Sequence, residues 1–135
     1  MAVVAARENI KPQTAQGDIL VVDDDYDARD ILSAMLTTLG YKVRTAVDGM
    51  DALERIEAQP PALIYLDLMM PRLNGFAVLS FLQSSPRLRK IPVVVVSAYD
   101  GPSIMLGLPG VSHVICKGDV TFQTVRDTVQ SFFSD

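Results

Sequence analysis

DILVVDDD, Asp18 to Asp25, sets a continuous apolar run against three adjacent aspartates. Ile19-Leu20-Val21-Val22 has no polar alternation, which suits a strand buried on both faces, as in a parallel sheet. The aspartates that follow repel one another, and a carboxylate withdrawn from water is costly unless something neutralises it. A charged cluster at the end of a buried strand therefore calls for a neutralising partner.

The same pattern of apolar run and helical segment continues outward. DARDILSAMLTTLG carries Ile31, Leu32, Met35, Leu36 and Leu39 on one helical face, with Gly40 as a stop. YKVRTA (41–46) is a short alternating strand, and DGMDALERIEAQPP spaces Met50, Leu53 and Ile56 for a helix that the double proline ends. ALIYLDL (62–68) is a buried strand; NGFAVLSFLQSSP places Phe76, Leu79 and Leu82 on one helical face. IPVVVVSA (91–98) and SHVICK (112–117) are the remaining strands. TFQTVRDTVQSFF is an amphipathic helix expected to turn Phe122, Val125, Val129, Phe132 and Phe133 inward. Strands alternating with helices imply right-handed βαβ units, so the fold class is α/β with a doubly wound parallel sheet. Ligands of such sheets bind at the carboxyl ends of the strands.

Those ends carry the chemistry. The first strand runs into Asp23-Asp24, the third ends in Asp67, the fourth in Ser97 and the fifth in Lys117. Parallel strands bring them to one edge, as an acidic group with one hydroxyl and one ammonium. Clustered carboxylates are tolerable around a hard divalent cation, and Mg²⁺ accepts a few oxygen ligands with water. A carboxylate there can act as a nucleophile toward a phosphoryl group, with metal and ammonium stabilising the transferring oxygens.

From about Asp18 to Asp135 the chain resembles the receiver domain of two-component response regulators, in ILVVDDD, DGMDAL, LIYLDLMMPRLNGF, VVVVSA and the lysine of ICKG. LDLMMPRLNG is fairly specific alone, and the joint order and spacing is a strong signal. The resemblance implies a flavodoxin-like sheet of five strands in the order 2-1-3-4-5. By position it implies Asp67 as phosphoacceptor, and Asp23 and Asp24 as the pair that holds Mg²⁺ together with Asp67 and the Met69 backbone carbonyl. Ser97 and Lys117 match the residues that sense and contact the phosphoryl group. Pro71 and Gly75 match the turn that shapes the loop after the acceptor strand.

Other polar residues have plainer readings. Asp25 and Asp27 suit a helix start, where they satisfy free N–H groups and the positive end of the dipole. His113 reads as a packing or surface residue, Cys116 as a small buried apolar one, and the methionines need no cofactor.

The family pattern breaks in places. Lys117 is followed by Gly118 where the family has proline, often with a cis bond, and a non-proline cis bond is costly. The family's aromatic switch position is Val114, with Tyr99 a weak substitute. YDGPSIMLGLPGVS (99–112) is dense in proline and glycine, so an irregular or shortened fourth helix is expected, near Ser103–Leu106. The bulk of Met69 and Tyr99 beside the path of attacking water suggests slow hydrolysis.

The bulk numbers set outer bounds. The 135 residues, 49% hydrophobic, fit one globular domain. Net charge −4 argues against a general nucleic-acid or membrane-surface binder, and no apolar stretch approaches the roughly 18 residues of a span. One cysteine and one histidine exclude a disulfide framework and a multi-His metal site and suit a reducing, cytoplasmic setting. Residues 1–17 read as a flexible tail and 18–135 as the receiver domain. The expectation is a single-domain response regulator, monomer or weak dimer, not classed as an enzyme although it can promote its own phosphorylation and dephosphorylation. A sensor histidine kinase or histidine phosphotransfer protein would phosphorylate it, and it would signal by contact with a downstream protein partner or by phosphorelay. One rival is a degenerate receiver acting as a non-switching docking module. Another is a small phosphatase, which needs an acid/base aspartate where this chain has Met69.

Overall fold

The computed structural model describes residues 17–98 and 106–133. Tyr99, most of the expected short helix at 103–106 and residues 1–16 of the expected tail lie outside the described residues. The described elements are β1 (Ile19–Val22), α1 (Tyr26–Thr38), β2 (Val43–Ala46), α2 (Gly49–Ala58), β3 (Leu63–Asp67), α3 (Gly75–Gln83), β4 (Val93–Ser97), β5 (Val111–Cys116), a 3₁₀ turn (Lys117–Asp119) and α4 (Phe122–Phe133). The five strands are parallel, in the order β2-β1-β3-β4-β5. This is the expected doubly wound sheet.

Each strand sends alternate side chains to opposite faces. Leu20, Val22, Ile64, Leu66, Val93 and Val95 face one layer, where they pack with Ala52 and Ile56 of α2 and with Val78, Leu79 and Leu82 of α3. Ile19, Val21, Leu63, Tyr65, Val94 and Val96 face the other, against Leu32 and Leu36 of α1 and Val125 and Val129 of α4. The uninterrupted apolar runs are thus explained: both faces of the three inner strands are covered. Among the described residues, no helix is long and apolar enough to cross a membrane.

The helical faces drawn from spacing need correction at one end. Ile31, Met50, Phe76 and Phe122 are exposed, by 52%, 50%, 45% and 42%. Met50, Phe76 and Phe122 lie in the first turn of their helices. In a parallel sheet those first turns start at the carboxyl edge of the strands, with no strand left to cover them. Phe132 and Phe133 are partly buried, as expected, with Phe133 packed against Tyr41, the ring centroids 5.4 Å apart and the planes tilted by 37°. Cys116, expected buried, is half-buried on the edge strand β5. His113 is exposed and meets the Phe132 ring edge-on at 5.4 Å. β5 also ends one residue earlier than expected, so Lys117 opens the 3₁₀ turn instead of closing the strand.

Candidate functional site

The parallel register builds the site. Val22 pairs with Leu66 and Asp67 with Val96, so Asp23, the next residue after β1, comes level with Asp67. Ser97 pairs with Cys116, which puts Lys117 one step beyond, two strands from Asp67, or about 9–10 Å at the usual strand spacing. The long lysine stem spans that gap. Its Nζ lies 3.2 Å from Asp67 Oδ2 and 3.3 Å from Asp23 Oδ2, so one ammonium bridges two carboxylates across the end of β4. Asp23, Asp67 and Ser97 are buried, and Asp24 is exposed.

Backbone groups hold the carboxylates. Asp67 Oδ1 accepts from the Met69 N–H at 3.0 Å, and Asp23 Oδ1 from the Asp25 N–H at 2.9 Å. Asp25 itself caps α1, accepting from the Ala28 N–H at 2.9 Å. Its carboxylate is committed to the helix, as its position in the sequence suggested. Arg29, which spacing alone did not single out, donates to the Asp23 carbonyl at 2.7 Å and so ties α1 to the acidic loop. Its signal in the sequence is slight: one arginine, one turn into a helix whose start is acidic.

Burial pushes the Asp67 carboxyl above its ordinary range, and the neighbouring Asp23 charge adds to the rise; the Met69 N–H and the Lys117 ammonium oppose it without cancelling it. Burial works to lower Lys117, yet the charges and hydrogen bonds of Asp67 and Asp23 outweigh it and hold the ammonium above its ordinary value. The site thus stores an excess of negative charge that one lysine does not neutralise. One carboxylate oxygen from each of Asp23, Asp24 and Asp67 lies within 4.8 Å of the others, a hard oxygen donor set that fits a divalent cation.

The loop after Asp67 returns onto β3 at Gly75, whose N–H donates to the Leu68 carbonyl at 3.2 Å. A Cβ there would stand 2.6 Å from the Asp67 carbonyl oxygen and from Leu68 Cα. Gly75→Ala must therefore push the end of β3 aside, and we expect a loss of about 1–3 kcal/mol in urea unfolding. Unchanged stability would mean that the loop yields freely. Pro71 lies between Met70 and Arg72 in the same loop. Gly118 has open space around the position of a Cβ, and no peptide bond among the described residues is cis. Val114 is half-buried and packed against the α2–α3 layer.

A cavity of about 290 Å³ opens beside the acidic group, lined by Asp23, Asp25, Ile31, Leu32, Val96 and Lys117 among others. The exposed Ile31 belongs to its wall. The spacing placed Ile31 in the core; the structure places it at the mouth of the site.

The response regulator receiver domain family model matches residues 19–108. Protein PilG of Pseudomonas aeruginosa is 35% identical over 83 residues, which cover 62% of this chain and 62% of PilG. Response regulator PleD of Caulobacter vibrioides is 46% identical over 83 residues, 62% of this chain but 18% of PleD. The match thus spans less than two thirds of either relative. The receiver domain of a histidine kinase from Syntrophus aciditrophicus superposes with a TM-score of 0.77 at 28% identity, covering 87% of this chain and 90% of that one. Vibrio cholerae chemotaxis protein CheY4, at 24% identity, shares the fold with a TM-score of 0.78 over 86% of this chain and 98% of its own. The matched residues contain Asp23, Asp24, Asp67 and Ser97, and the structural likeness extends over most of the chain. The chain belongs to the response regulator receiver domain family of two-component signalling.

Proposed function

We propose that this domain takes a phosphoryl group on Asp67 from a phosphohistidine of a sensor kinase or phosphotransfer protein. An Asp67 carboxylate oxygen attacks phosphorus; the new P–O bond forms as the P–N bond breaks, and the imidazole leaves with its electron pair and takes up a proton. Asp23, Asp24 and Asp67, with the Met69 carbonyl, would hold Mg²⁺, which supplies charge stabilisation for the phosphoryl oxygens when bound. Lys117 contacts the group from the β5 side. Ser97, at the end of the neighbouring strand, senses its arrival, and the surface state that follows is read by a downstream protein or passed on as a phosphorelay. We place the exchange in the cytoplasm, which supplies the kinase with nucleotide.

The observation that carries this reading is the Lys117 ammonium within 3.2–3.3 Å of two buried carboxylates whose charge it does not balance. Incubation with acetyl phosphate and Mg²⁺ should add one phosphoryl group by mass spectrometry, and Asp67→Ala should add none. An unlabelled parent chain sinks the proposal.

A second reading, a docking module that no longer switches, is favoured by Val114, which packs against the core where an aromatic would swing. Beryllofluoride, a phosphoryl mimic, separates the two by NMR. Shifts that reach α4 support a switch; shifts confined to the strand ends support the docking module.

A further inference from the structure

We propose that Arg72 is a positioning residue for phosphoryl transfer to Asp67, pinning the loop that follows the acceptor to the start of α2 through Asp48. The role rests on the phosphoacceptor reading given above.

Three observations converge on this pair. First, Arg72 has φ 61°, and it is the non-glycine residue with positive φ among those described. L side chains are disfavoured in that left-handed conformation, and glycine is not. If the position served only to turn the chain, glycine would do it without strain. Second, the Arg72 guanidinium pairs with the carboxylate of Asp48. Asp48 is 7% exposed and already caps α2, accepting from the Asp51 N–H at 2.8 Å. Its other oxygen faces Arg72, so the carboxylate is shared between helix cap and loop. Third, the two backbones touch there: a Cβ on Gly49 would stand 2.0 Å from the Leu73 carbonyl oxygen. The loop after the acceptor lies directly on the first turn of α2.

The same loop begins with Met69, whose N–H holds Asp67 Oδ1 at 3.0 Å, and closes where the Gly75 N–H meets the Leu68 carbonyl at 3.2 Å. Between those two anchors Arg72 reaches outward to a different element. Freeing it lets the Met69 segment wander, and small misplacements beside a reacting group slow chemistry steeply. The Arg72 side chain is 69% exposed and Asp48 keeps its bond from the Asp51 N–H when the arginine is lost, so the carboxylate is not stranded and the change costs little global stability. Its effect falls on loop order and not on the fold, and this separates it from an ordinary structural contact.

The test compares the full chain with Arg72→Gln, Asp48→Asn, the double variant and Arg72→Lys. Asparagine keeps the α2 cap. Amide hydrogen exchange across Met69–Leu73 is read without metal, and acetyl phosphate labelling of Asp67 is read with Mg²⁺. Either single change should speed loop exchange and slow labelling, each about tenfold. The double variant should be no worse than either single one, Arg72→Lys should recover most of the rate, and thermal midpoints should stay within about 2 °C of the parent. The proposal is overturned if Asp48→Asn behaves as the parent while Arg72→Gln is slow, since the arginine would then act by its charge on the phosphodonor. Multiplying losses in the double variant, or unchanged exchange, overturn it as well. A parent chain that takes up no phosphoryl group overturns the reading beneath it, and shows itself before any variant is made.

Discussion

Arg44→Met will destabilise the fold by about 3 kcal/mol or more, with no residue of the acidic site touched. Arg44 sits on β2 at the opposite edge of the sheet from the site. Its Nε lies 2.6 Å from Asp18 Oδ2, and one of its terminal nitrogens lies 3.2 Å from Asp18 Oδ1, a two-point grip on a carboxylate that is 2% exposed. The guanidinium also donates to the Gln59 carbonyl at 2.6 Å and the Arg55 carbonyl at 3.4 Å, so it closes the carboxyl end of α2. Methionine restores the apolar stem but leaves Asp18 buried without its cation, and breaking one side of such a pair costs far more than the pair contributes. Asp18→Asn in the same chain should recover part of the loss, because the stranded charge is then gone. Urea unfolding of the three variants decides it; a loss under about 1 kcal/mol for Arg44→Met would show that water reaches Asp18.

The second large effect has the opposite sign. Without divalent metal, Asp67→Asn should raise stability while it abolishes phosphoryl uptake. Asp67 is 3% exposed beside Asp23, and burial with that charge lifts its carboxyl above the ordinary range. A group whose native pKa is raised binds its proton more tightly folded than unfolded. The metal-free native state therefore gains stability as pH falls from above the raised value toward the ordinary carboxylate value, and is penalised in full above it. Asparagine removes the charge and retains an oxygen for the Met69 N–H. Mg²⁺ should reverse the ranking, since a ligand at a hundred times its dissociation constant adds about 2.7 kcal/mol to the form that binds it. Urea titrations with EDTA and with Mg²⁺ test both halves. If the variant is weaker in EDTA, or gains as much from Mg²⁺ as the parent, the carboxylates are not arranged for a cation.

Both effects describe one division of labour. The buried pair at the amino edge of the sheet is neutral within itself and serves the fold. The group at the carboxyl edge carries two carboxylates against one ammonium, with a third carboxylate exposed beside them, and is left with an excess of negative charge.

The sheet, its two covered faces and the residues at its carboxyl edge were legible from the chain because they depend on local patterns. An unbroken run such as Val93–Val96 must be buried, and parallel strands must gather their ends, so the chain alone sets Asp23, Asp67 and Ser97 together. Tertiary structure alone decided the rest. Ile31, Met50, Phe76 and Phe122 have the spacing of core residues, yet periodicity cannot say where a helix overhangs its sheet. Arg44 and Asp18 lie 26 residues apart, as Arg72 and Asp48 lie 24 apart, and nothing local marks them as partners. Their pairing follows from which loops the crossovers bring into contact. Lys117 shows the boundary most plainly: its residue type and place were readable, but its reach across β4 to two carboxylates exists only once the register of four strands is set.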